Sequence, residues 1–153
     1  MSTTTETTTD ADVLLADWQA GVTGGIAGAA VMGVLISIMN AAVLQGAIPA
    51  LYTLSGGVAG WAVHLSHGAV LGVVFAALLE RVYPGEQAAG TVVGLALLWG
   101  VVTWIGLAAL VMPLWLAGVG FPMAPPFPNF APPSLVWHVV YGGVLGVAYA
   151  GLR

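Results

Sequence analysis

The stretch Gly60–Leu79, GWAVHLSHGAVLGVVFAALL, decides the fold. It is apolar for long enough to cross a bilayer, yet it holds two of the chain's three histidines, His64 and His67. Shifted by 74 residues, His64–Leu79 lies over His138–Arg153 with eight of sixteen positions identical. The identities include His64/His138, Gly68/Gly142, Leu71/Leu145 and Gly72/Gly146. So many matches point to an internal duplication.

Composition extends the reading to the whole chain. Of 153 residues, 59% are hydrophobic and 5% charged, with a mean hydropathy of +1.01. Soluble domains carry about 25% charged residues. Polar surface for a water-soluble fold is therefore lacking, whereas apolar helix faces need no cover in lipid. The expected fold is all-α: an integral membrane four-helix bundle built from two parallel two-helix repeats.

Periodicity and breakers give spans of about 19–44, 58–79, 88–112 and 134–152. Small-xxx-small pairs such as Gly21/Gly25 and Gly24/Gly28 mark a face for close backbone contact. Pro113 is expected to open an apolar, proline-rich outer loop, 113–133, which holds seven of the nine prolines. Residues 1–18 form an acidic, Thr-rich tail: 1–10 reads as disordered, and Ala11–Trp18 suits a short interfacial helix. The tail lacks the basic n-region of a signal peptide.

The chain has no cysteine and no lysine, and its only arginines are Arg81 and Arg153. Disulfides, thiolate metal sites and cysteine catalysis are excluded. Without basic clusters nucleic acid is a poor partner, leaving the lipid bilayer, a homo-oligomer or a larger membrane complex. Four spans put both termini on one side together with Arg81 and Arg153. The positive-inside rule makes that side cytoplasmic, for a multi-pass protein of the cell membrane.

Ionisable residues within a membrane are candidate functional positions. At 100° per residue His64, Gly68, Leu71 and Phe75 share a stripe, as do His138, Gly142, Leu145 and Tyr149. If spans two and four are neighbours, the stripes face each other, and the glycines leave a gap beside two opposed imidazoles. That arrangement suits haem b with His64 and His138 as axial ligands. His64, His67 and His138 as a three-nitrogen metal site is the alternative. The plainer reading makes them neutral structural histidines, bonded to a backbone carbonyl, Asn40 or water. Asn40, Ser66 and Thr103 are expected to bond between helices.

No catalytic motif, phosphate loop or carboxylate pair is present. The expected function is non-enzymatic: an accessory, assembly or conducting subunit, or else a redox or metal-carrying one. The segments GWAVHLSHGAVLG, MPLWLAGVGFPMAPPFPNF and SLVWHVVYGGVLG, with the acidic tail and absent lysine, resemble small uncharacterised four-helix membrane proteins of haloarchaea. Such proteins are sometimes labelled histidine kinase. The label finds no support here, because no soluble segment is large enough for an ATP-binding domain.

Overall fold

A computed structural model describes residues 15–153, so residues 1–14, with the first half of the expected Ala11–Trp18 helix, lie outside the described residues. Four helices are long and apolar enough to span a membrane: α1 (Asp17–Met39), α2 (Gly57–Val82), α3 (Ala89–Gly118) and α4 (Pro132–Leu152). At about 1.5 Å per residue they run about 30 to 45 Å, against a hydrocarbon core of roughly 30 Å. Their mean hydropathies are 1.5 to 2.2. Large apolar side chains point outward all round, among them Val58 at 89% exposure and Ile38 at 77%. Such a surface is stable only against lipid, so this is a multi-pass integral membrane protein.

The helices form an arc in the spatial order α2–α1–α4–α3. α1 packs against α2 on one side and α4 on the other, α4 also packs against α3, and α2 and α3 are not packed together. Glycine sets this order. A Cβ at Gly21 would lie 2.6 Å from the Gly72 carbonyl oxygen on α2. Added at Gly28, it would lie 2.8 Å from the Tyr141 carbonyl oxygen on α4. The two glycine rows of α1 therefore admit one neighbour each. Gly100 and Gly142 likewise let α3 and α4 approach, each receiving a backbone carbonyl of the other helix, from His138 and Ala96.

This corrects the expectation of a glycine-lined gap between spans two and four. Gly68 is filled by Ala29 and Gly25 of α1, and Gly142 by Ala96 of α3. Spans two and four touch through long side chains instead. Phe75 and Tyr149 stack edge to face at 5.7 Å, and the Tyr141 hydroxyl donates to the Gly68 carbonyl at 3.0 Å.

α3 also outruns its expected end at Met112. It continues through Pro113 to Gly118 after a π-helical stretch, Trp104–Val111. Proline has no N–H for the carbonyl four residues back, here Ala109. The Asn129 amide supplies it instead at 2.9 Å, folding the loop back onto the helix. Pro49 repeats the device after the π-turn Val43–Ala47, with the Gly56 amide donating to Gln45 at 3.0 Å. Gly56 makes that turn with φ +89° and starts α2.

At the terminal end of the bundle, Arg153 lies 3.6 Å from Asp17, and its Nη2 donates to Gln87 at 2.9 Å. The Tyr149 hydroxyl donates to Asp17 at 3.1 Å, and the Leu15 amide to the Leu152 carbonyl at 2.8 Å. The start of α1, the α2–α3 turn and the end of α4 are thereby tied together.

Candidate functional site

Because α2 and α3 stand apart at the ends of the arc, a cleft of about 460 Å3 lies between them. α1 and α4 form its back wall through Ala29, Met32, Trp137 and Tyr141. Val70 and Leu71 of α2 face Leu107, Ala108 and Val111 of α3 across it. The π-helical stretch of α3 supplies that side, in keeping with the frequent siting of π-bulges at functional positions.

The connection end is roofed by the first connection and the end of α3. The Trp115 indole N–H donates to the Leu51 carbonyl at 2.9 Å, joining the end of α3 to the first connection. Tyr52, from the same connection, meets His67 of α2 with its hydroxyl 2.7 Å from Nε2. Towards the terminal end the cleft stops where Gly72 closes on α1 and Phe75 meets Tyr149.

All three histidines line this one cleft. Their rings are held differently. His64 is 7% exposed, and its Nε2 bonds the Ala29 carbonyl of α1 at 3.0 Å. His138 is half-buried, and its Nδ1 bonds the Ser134 carbonyl in its own helix at 2.7 Å. A carbonyl oxygen can only accept, so the bonded nitrogen carries the proton in both cases. Among the described residues no carboxylate or cation lines the cleft, which favours the neutral imidazole. His64 then keeps a bare lone pair on Nδ1, and His138 on Nε2.

For His64 the plainer reading of a histidine bonded to a backbone carbonyl describes the geometry. Among the described residues no group of three His, Asp or Glu side chains is placed to hold one metal ion. His64, His67 and His138 share the cleft but are not grouped as a metal set among the described residues. Of the expected interhelical polar residues, Thr103 bonds the Gly100 carbonyl at 2.9 Å and Ser66 the Ala62 carbonyl at 2.7 Å. Both bonds stay within one helix. Asn40 instead ends α1, its amide donating to the Ile36 carbonyl at 2.8 Å.

Sequence reasoning passed over Tyr52, Trp115 and Tyr141 as site residues. The signal available for Tyr141 was its place opposite His67 in the duplication. Trp99 and Trp104 of α3 bury indole N–H groups without an acceptor, but neither lines the cleft.

Comparison of this chain with protein-family models, curated proteins and solved structures gives no match.

Proposed function

We propose that this protein is a non-enzymatic accessory subunit of the membrane that holds a lipophilic small molecule in the cleft between α2 and α3. The observation that carries this reading is the unpacked α2–α3 edge. An apolar cavity of about 460 Å3 there opens sideways, where lipid would lie, and is roofed at the connection end. Ligand pockets commonly measure roughly 300–1,000 Å3 and set a few polar groups in an apolar wall. The polar groups here include the imidazoles and the hydroxyls of Tyr52, Thr103, Ser134 and Tyr141.

Conduction is less well supported. Among the described residues no polar side chain continues the cleft past Gly72 and Phe75, so a solute entering it meets packed helices. The proline-rich connection also turns its aromatics inward in part: Phe130 stacks on Trp104 at 5.6 Å. Its tip keeps Met123 and Phe127 exposed, a surface suited to a neighbouring subunit or the membrane interface.

A redox reading rests on one observation. His138 donates Nδ1–H to a carbonyl and leaves Nε2 bare, as ligating histidines do. Haem b would then take His138 as one ligand, while His64 offers only Nδ1. Cytoplasmic termini and a haloarchaeal setting are part of the proposal, and high salt is the suitable medium for purification.

The test is native mass spectrometry of protein extracted in high salt, with a visible spectrum of the same sample. A co-purified lipophilic mass, lost when Ala108→Phe fills the cleft, is the expected result. Ligand-free protein whose mass spectrum is indifferent to Ala108→Phe would overturn the reading. A Soret band would replace it by the redox one.

A further inference from the structure

We infer that the cleft recognises a neutral lipid alcohol, one hydroxyl on a long apolar chain; this inference rests on the binding function proposed above. It follows from which hydrogen-bonding groups of the cleft wall are already used. The Tyr141 hydroxyl donates to Gly68, and the Thr103 hydroxyl to Gly100. The Trp115 and Trp137 indoles donate to the Leu51 carbonyl and the Met39 sulfur. His64 and His138 spend their single protons on Ala29 and Ser134.

Three groups remain. The lone pairs on His64 Nδ1 and His138 Nε2 have no donor among the described residues. The Ser134 hydroxyl stands one helical turn before His138 and bonds nothing among them. The Tyr52–His67 pair holds two exchangeable protons and uses one between its members, so one is left over whichever tautomer is present.

A ligand complementary to this wall must give a proton to an imidazole and accept one from Ser134 or the Tyr52–His67 pair. A hydroxyl does both with one atom. An ether or a hydrocarbon can give nothing to the imidazoles. A fatty carboxylate or an ammonium lipid would bring a charge into a wall that offers no charged partner among the described residues, a costly burial. The rest of the molecule must be apolar, because Val70, Leu71, Leu107 and Val111 line the way between α2 and α3. At about 460 Å3 the cleft takes the head and the first part of a chain, and the remainder lies in the bilayer.

The test uses the full-length protein in detergent micelles, with geranylgeraniol, its methyl ether and the corresponding carboxylic acid as probes, each titrated by native mass spectrometry. The alcohol is expected to bind about tenfold tighter than the ether, the worth of one hydrogen bond in an apolar site. The acid should bind no better than the ether. His138→Leu should abolish the alcohol–ether difference while ether binding persists, which also shows that the variant is folded. Ser134→Ala should shrink the same difference. Ala108→Phe should remove both ligands. Equal binding of alcohol and ether to the unaltered protein would overturn the headgroup assignment and leave the cleft as a binding site. Failure of all three probes, with Ala108→Phe indifferent, would overturn the cleft reading itself. A His138-dependent Soret band on adding haemin, with no preference for the alcohol, would show that the lone pairs serve a metal.

Discussion

The Asn129 amide donates to the carbonyl of Ala109, the group that Pro113 leaves without its helical partner. A helix that ought to have broken continues instead, and a loop twenty residues further on is pinned to it. Ala109 is fully buried, so an unsatisfied carbonyl there would cost about 1–3 kcal/mol.

Replacing the proline tests that coupling. Pro113→Ala restores a local N–H that competes for Ala109. The Asn129 amide should then exchange with solvent about five- to tenfold faster, the equivalent of about 1 kcal/mol, while α3 stays helical. Hydrogen-exchange mass spectrometry of the 119–131 peptides reads this. Unchanged exchange would mean that the loop is held by its aromatics alone.

The glycine contacts give a contrast between packed and open positions. Gly25→Ala and Gly142→Ala push a methyl into a neighbouring backbone and should destabilise by about 1–3 kcal/mol. Gly90→Ala and Gly94→Ala meet nothing within 4 Å and should be neutral or slightly stabilising. Thermal unfolding in micelles separates the two pairs. Equal effects would deny that α1 and α4 are packed through these glycines.

The ion pair at the terminal end should matter less. The Arg153 side chain is 16% exposed and Asp17 37%, so a double-mutant cycle with Asp17→Asn and Arg153→Gln should give a coupling of about 0.5–1 kcal/mol. Molar salt should reduce it. A coupling of several kcal/mol would place the pair in a far drier setting.

Orientation can be read in a chain with no native cysteine. Gly85→Cys, in the α2–α3 turn, is expected to react with an impermeant thiol reagent only from the cytoplasm. Asn129→Cys should react only from outside, and the opposite pattern would reverse the topology.

Much of the fold was legible because a bilayer demands runs of apolar residues, and Gly57–Val82 or Pro132–Leu152 can hardly be read otherwise. The pairing of helices was not. In lipid the outer face is as apolar as the core, so periodicity does not say which stripe is buried. Gly68 therefore looked towards Gly142, when its neighbours are Ala29 and Gly25. Pro113 read as a breaker because the amide that compensates for it lies at Asn129, far outside any local window. His64 and His138 were recognisable as candidates, and they do line one cleft. Their different roles were hidden, since Ala29 and Ser134 fix the tautomers through carbonyl groups that carry no sequence signature.

The most direct measurement is carbene labelling of the protein in bilayers with a small apolar diazirine, mapped by peptide mass spectrometry. Ile38, Val58 and Val147 face outward and should be labelled in any case. Met112 and His138 should be labelled too, because they line a cleft open to lipid, and Ala108→Phe should protect them. Labelling confined to the outward residues, with Met112 and His138 unreacted before and after Ala108→Phe, would mean that α2 and α3 close on each other and that no lipid-accessible cleft exists.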